Sequence, residues 1–204
     1  RDLTDVLTRA NVCADCHVGG PGRDVNHDLI AAGHPRLFFE LSTFHANWPK
    51  HWPDEVDAKR HPVADSSTSG SIFEAKLWAV GQVVTIQRSL ELLQQRAELG
   101  QREPAKWPEL AEWNCFACHH DLQSASWWQA KDEAQRPRGS FRWNSWPYAM
   151  LDPAATYTLS LADQFPEPPA FTKLRLHFVT PLPPAEAIAR DATVAAQWQR
   201  ATAE

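Results

Sequence analysis

The cysteines constrain this chain more than any other feature of its sequence. The 204 residues contain only four of them, arranged as two C-x-x-C pairs, and a histidine directly follows each pair. The first motif is Cys13, Cys16 and His17, and the second is Cys115, Cys118 and His119. No cysteine remains for any other purpose. The fold therefore has to present two copies of the same short motif for the same kind of chemistry.

C-x-x-C-H is the attachment signature of c-type haem. Two thiols one helical turn apart reach the two vinyl groups on one edge of the porphyrin, and the next residue places its imidazole under the iron as the proximal ligand. One motif could arise by chance, but two that use every cysteine are a specific signal. We expect two covalently bound haem c groups, with thioether bonds to all four cysteines and iron bonds to both motif histidines.

Two other uses of C-x-x-C pairs fit the sequence less well. Zinc ribbons place their pairs about 15 to 20 residues apart, whereas roughly a hundred residues separate the pairs here. A thioredoxin-like dithiol is expected beside a βαβ unit, and no such pattern surrounds either pair. Haem attachment remains the favoured interpretation.

The sixth ligand of each iron affects its potential and its function. Beyond the two motifs the chain has seven further histidines and a single methionine, Met150, which could ligate an iron but which we expect in the core. This supply favours bis-histidine ligation. The further histidines are His27, His34, His45, His51, His61, His120 and His177.

Three of these histidines are our candidates for distal ligands. Residues 26–52 are predicted to form two short helices joined at 33–35, with Asn26 as a cap. His27 and His34 are seven residues apart, so a helix would place them on one face. His45 falls on the apolar stripe of the second helix, which ends before Pro49.

We expect the other four histidines to play lesser roles. His51 and His61 lie in a polar stretch, which favours a solvent-facing position or a contact with a haem propionate. His120 directly follows a proximal ligand, so it could reach only the other haem. His177 lies in residues 173–178, where the alternation of side chains predicts a short surface strand.

The remaining pattern predicts a mainly α fold with one long scaffold helix. Ser71 opens a capping box, and an apolar stripe runs over 71–99 until Gly100 offers a stop. Dense prolines over 147–184 predict irregular structure with one short strand, and a final helix runs from Pro183 to about Thr202. We expect residues 1–125 to form the dihaem core and residues 126–204 an extension packed on it. Ten tryptophans are expected to wall the haems.

Charge argues against a nucleic-acid partner, and hydropathy argues against a transmembrane helix in this chain. The net charge is −5 and there is no basic cluster, so we expect no nucleic acid. No apolar run is long enough for a transmembrane helix. The chain begins at Arg1 without methionine, so we expect that a signal peptide has been removed or that the chain is part of a longer protein.

The residues around the first motif resemble the multihaem cytochrome c family that includes the tetrahaem electron acceptor of hydroxylamine oxidation, in its planctomycete-type members. The resemblance lies in NVCADCHVG at 11–19 and VNHDLIAAGHPRL at 25–37. It extends through Trp52, the long helix and the second motif, and so covers residues 1–125. It implies a mostly helical, periplasmic or extracellular protein with bis-histidine irons and closely spaced haems. It supports His27 and His34 as distal ligands.

Members of that family often carry more haem motifs than two, usually upstream. The chain could then be the C-terminal part of a longer protein, and one of its distal ligands could serve a haem whose cysteines are absent here. The expected function is electron transfer between redox partner proteins, which could include other multihaem cytochromes. The alternatives are a haem enzyme with one open axial site for peroxide or a small nitrogen compound, a sensing module, and a subunit of a larger complex or filament.

Overall fold

The computed structural model describes residues 2–49, 69–123, 140–154 and 169–203. Within these ranges the chain is mainly helical, and a single antiparallel bridge between Trp113 and Trp143 is the only β pairing. The prediction of a mainly α fold is confirmed. The α-helices are α1 (Val6–His17), α2 (His27–Ala31), α3 (Leu41–Asn47), α4 (Ser69–Arg102), α5 (Pro169–His177) and α6 (Ala185–Ala203). Residues 151–154 are helical as well. Short 3-10 helices span Pro104–Lys106, Leu110–Glu112, Cys115–Ala117 and Trp146–Tyr148.

The long helix α4 is the element on which the other described helices pack, as the sequence predicts. It packs on α1 and α3 mainly through its N-terminal half and on α6 mainly through its C-terminal half. The predicted stop at Gly100 is wrong, because α4 continues to Arg102 and ends before Pro104. A Cβ on Gly100 would overlap the Cβ of Trp107. Gly100 therefore allows a close approach of the returning chain and does not end the helix.

Two apolar clusters form, one on each half of α4. The first joins α1, the segment before α3 and the N-terminal half of α4, and its buried members are Val6, Ala10, Ala14, Phe39, Leu41, Leu77 and Val84. The second joins the C-terminal half of α4 to α5, α6 and the aromatic residues around Trp113 and Trp143. Each motif thus lies beside its own part of the core, and α4 connects the two.

The histidine-rich segment differs from its prediction. The Asn26 cap is confirmed, since its side chain accepts a hydrogen bond from the Leu29 N–H at 3.0 Å. However, α2 ends at Ala31, and Gly33 takes a φ of 104°, which turns the chain out of the helix. His34 therefore does not lie on a helix with His27. The second helix starts only at Leu41, so Pro35 is not in its first turn.

Glu40 is the N-cap of α3, the helix that carries His45. Its carboxylate accepts hydrogen bonds from the backbone N–H groups of Ser42 at 3.0 Å and Thr43 at 2.8 Å, and from both hydroxyls. Burial alone would raise the pKa of Glu40, but these hydrogen bonds lower it below its ordinary value of 4.5. The cap therefore stabilises the protein only while Glu40 is ionised.

We expect Glu40→Ala to reduce the free energy of unfolding by about 1 kcal/mol at pH 7, as loss of an N-cap usually does. Because the folded pKa is below the unfolded one, this difference is complete above the unfolded pKa and disappears as the pH falls through the folded pKa. Denaturant unfolding of both proteins between pH 7 and pH 3 measures it. Glu74→Ala, at an exposed position on α4, is the control. A difference that stays constant over this range would contradict the assignment.

The C-terminal region is more helical than its prolines predict. Residues 169–177 form α5, where the sequence predicts irregular structure followed by a short strand at 173–178. The apparent alternation reflects Phe171, Leu174 and Phe178, which lie at helical spacing and are buried. The final helix is confirmed as α6. Met150 is 42% exposed, so its expected place in the core is wrong.

Candidate functional site

The first motif lies at the C-terminal end of α1. Asp5 caps the start of this helix by accepting a hydrogen bond from the Thr8 N–H at 2.7 Å. Cys13 and Cys16 are one turn apart, with Cys13 half-buried and Cys16 exposed, and neither forms a disulfide. Burial raises the pKa of the Cys13 thiol. The helix thus presents both thiols at the spacing that thioether attachment requires.

His17 is the last residue of α1, and two aromatic rings pack against its imidazole. Phe39 stacks on it with ring centroids 5.0 Å apart and an angle of 17° between the planes. Phe44 meets it edge-on at 4.8 Å. Both phenylalanines come from the segment around the start of α3. The chain therefore builds a defined, apolar environment around the imidazole of the first motif.

A cleft opens beside His17. Its volume is about 90 Å³, and it is partly open to solvent. Its walls come from the end of α1, residues 36–39, α4, residues 111–112 and residues 144–148. Arg36, Arg96 and Asn144 contribute polar groups, and the wall includes the buried Tyr148, whose pKa is raised well above its ordinary value by burial and by nearby Glu112. The cleft therefore places guanidinium, amide and carboxylate groups on the side of the molecule where His17 lies.

Arg96 of α4 joins the two motif regions. It lies 2.8 Å from the carboxylate of Asp24, which follows the first motif, and 2.5 Å from that of Glu112, which precedes the second. All three side chains are largely buried. Burial alone would lower the pKa of Arg96, but the charges and hydrogen bonds of Glu112 and Asp24 raise it above its ordinary value. The guanidinium therefore stays charged and ties both motif regions to one helix.

The second motif lies at the surface. Its 3-10 helix begins after Asn114, whose side chain accepts a hydrogen bond from the Phe116 N–H at 3.0 Å. Cys115, Cys118 and His119 are exposed, and neither cysteine forms a disulfide. The buried Trp113 anchors the motif in the core. Residues 124–139, which follow the motif, lie outside the described part of the chain.

The candidate distal ligands lie in different places. His45 is 5% exposed and lines a small cavity together with His17 and Cys13, so it lies close to the first motif. His27 is half-buried, and its backbone N–H donates to Glu109 at 2.8 Å. His34 is exposed, with its Nδ1 2.7 Å from the carbonyl oxygen of Pro35. The shared helical face predicted for His27 and His34 is not formed.

The other histidines are placed only in part. His51 and His61 lie outside the described residues. His120 has its Nδ1 2.7 Å from the carbonyl oxygen of Asp121. His177, expected on a surface strand, ends α5, and its Nε2 lies 2.9 Å from the buried carboxylate of Asp191. His177 is thus held in a helix–helix contact.

The donor set fits covalent haem better than a zinc site. Both C-x-x-C pairs lie in the described residues, and there no three His, Cys, Asp or Glu side chains come together in a way that could hold a metal ion. The first motif combines a suitable thiol spacing with an imidazole beside a cleft that opens to solvent. Sequence reasoning missed Arg36 and Arg96, because charged residues in a helix or loop carry no signal of their own.

Comparison with known proteins identifies no family and no relative for this chain. No protein-family model matches the chain, and no curated protein or solved structure matches it either. Among the helices that the structure describes, none is both long enough and apolar enough to cross a bilayer. The function has to be argued from the motifs and their surroundings.

Proposed function

We propose that the chain is a dihaem c-type cytochrome of the multihaem family that it resembles, and that it transfers electrons between redox partners in the periplasm or outside the cell. The observation that carries this proposal is the pair of C-x-x-C-H motifs connected through one buried arginine. Their four thiols form no disulfide, and Arg96 ties both motif regions to α4. A shared scaffold would hold two haems at a set separation, and the rate of electron transfer between them depends on that separation.

The chain's own residues would hold each haem in distinct surroundings. Cys13 and Cys16 would attach the first haem and His17 would bind its iron, with Phe39 and Phe44 fixing the orientation of the imidazole. Cys115, Cys118 and His119 would do the same for the second haem at the surface. Bound haem supplies a reversible one-electron iron couple. The exposure of the second motif would give a partner protein direct access to its haem edge.

The positions of the distal candidates suggest how they divide between the haems. His45 shares a cavity with His17 and Cys13, so it is the natural ligand for the first iron. His27 and His34 lie on the segment that contacts the second motif region through Glu109 and Arg36. We therefore assign His45 to the first haem and His34 or His27 to the second.

We expect His45→Ala and His34→Ala to convert different haems from low spin to high spin. If His27 is the second ligand, His27→Ala takes the place of His34→Ala. Low-temperature electron paramagnetic resonance of each single variant and of the double variant measures the change, because two separate haems predict additive high-spin signals. His177→Ala is the matched control and should leave both haems low-spin. His45→Ala without any high-spin signal would contradict the assignment to the first iron.

One observation favours a second candidate function. Among the described residues that line the cleft beside His17, there is no second histidine and no methionine, whereas Arg36, Arg96 and Asn144 are present. If the iron bound by His17 had no protein ligand on its other side, it could bind peroxide or a small nitrogen compound directly. This describes a haem enzyme with one open iron.

The spectra of the purified oxidised protein separate the two functions. An electron-transfer protein should show two low-spin haems that do not respond to cyanide or nitric oxide. A high-spin component that binds either ligand would establish an open iron and replace the electron-transfer proposal with the enzyme. Absence of any haem from protein made in a host with the attachment machinery would overturn both.

A further inference from the structure

Arg36 makes a set of contacts that the proposed function does not explain. It follows the Gly33-His34-Pro35 turn, and its side chain reaches residues about eighty positions further along the chain. Its Nη2 donates to the carbonyl oxygen of Ala111 at 2.6 Å, and its Nη1 donates to that of Trp113 at 3.1 Å. One planar guanidinium thus binds two carbonyls of the segment that leads into the second motif.

The same guanidinium also contacts the motif. Its Nη1 lies 3.3 Å from the Sγ of Cys115. The two carbonyl bonds do not involve the sulfur, so they are compatible with its conversion to a thioether. Arg36 also lines the cleft beside His17 and lies 6.0 Å from the ring centre of Phe38. It is therefore placed between the first motif's cleft and a sulfur of the second motif.

The contacts of Arg36 depend on the shape of its guanidinium group. A guanidinium offers five N–H donors in a rigid fork, so it can bind carbonyls two residues apart and a sulfur at once. A lysine at this position would keep the positive charge, but its ammonium group is a point donor on a flexible stem. The two effects of Arg36, its charge and its geometry, can therefore be separated by substitution.

Resting on the proposed function, we infer that Arg36 is a positioning residue for the second haem and that its charge raises the reduction potential of that haem. The two carbonyl bonds fix the segment before Cys115, and so fix the porphyrin edge attached to it. Reduction removes one positive charge from the haem iron. A fixed cation beside that edge favours the reduced state and so raises the potential.

The test uses the complete chain with its haems attached and compares Arg36→Gln, Arg36→Lys and the control Lys173→Gln, which removes an exposed charge from α5. Potentiometric titration gives the two midpoint potentials, and electron paramagnetic resonance reports the geometry of each haem. We expect one midpoint to shift to lower potential in Arg36→Gln. In Arg36→Lys this shift should be smaller, while the signal of the same haem broadens because the positioning is lost.

Potentials and spectra that do not change in Arg36→Gln would overturn the inference, and so would equal shifts in Arg36→Gln and Lys173→Gln. Equal shifts in the glutamine and lysine variants would exclude the effect of charge and contradict the stated mechanism. The haem content of the unsubstituted protein is measured in the same experiment. If it has no covalent haem, the proposed function fails; if it has two and only the Arg36 variants behave unexpectedly, this inference alone fails.

Discussion

Replacement of both thiols of the second motif, C115A/C118A, is expected to give a folded chain that carries one haem instead of two. Both cysteines are exposed, so their loss removes little packing, while covalent attachment needs the thiols. Intact mass and a pyridine haemochrome assay count the haems in each variant. C13A/C16A is the matched variant and should retain only the second haem. Cys13 packs against the first apolar cluster, so this variant should also be less stable.

The result that would contradict independent attachment is equally specific. If C115A/C118A lost both haems while its circular dichroism still showed the helical fold, the two motifs would not act as separate sites. The single variants C115A and C118A provide a further control, because each keeps one thiol to which the second haem can still be attached. A haem count of two in a protein lacking both thiols of one motif would show that attachment occurs elsewhere.

Arg96→Leu is expected to reduce the free energy of unfolding by about 3 kcal/mol, because it leaves Glu112 as a buried carboxylate without its cation. This is the lower end of the usual range, since Asp24 and Glu112 keep some contact with solvent. Denaturant unfolding followed by circular dichroism measures the loss. Arg96→Lys keeps the positive charge but loses the planar set of donors, so it should recover part of the lost free energy of unfolding.

The control for Arg96 is Arg88, which is on the same helix and also pairs with two carboxylates. Arg88 lies 3.4 Å from Asp15 and 3.2 Å from Glu91, and its side chain is 28% exposed against 12% for Arg96. Exposed pairs contribute about 0 to 1 kcal/mol, so Arg88→Gln should cost much less. Equal losses in the two variants would show that the Arg96 network has no special role in joining the motif regions.

The features predicted well are those with a strong local pattern. The long apolar stripe indicated α4, the proline pair indicated the start of α6, and Asn26 was recognised as a cap. The capping box predicted at Ser71 is wrong, because α4 begins at Ser69 and Ser71 lies inside the helix. The error at Gly100 has a tertiary cause, since this glycine accommodates Trp107 and does not end the helix. The strand predicted near His177 failed because a short run of alternating residues also fits one face of a helix.

The site was predictable only where chemistry and spacing coincide. The two C-x-x-C-H motifs predict the attachment residues, and the apolar stripe of α3 correctly placed His45 on the buried side. The roles of Arg36 and Arg96 depend on partners about eighty and seventy residues away in sequence, and neither has a local signal. The loop conformation between His27 and His34 likewise depends on the positive φ of Gly33, which a helical wheel does not include.

Intact mass of the denatured protein, after secretion from a host that contains the haem attachment machinery, tests the central claim most directly. Denaturation removes any haem that is not covalently bound, so only thioether-linked haem adds to the mass of the polypeptide. We predict a chain that carries the mass of two haems. A chain with the mass of the bare polypeptide, with all four cysteines free to react with an alkylating reagent, would contradict the claim.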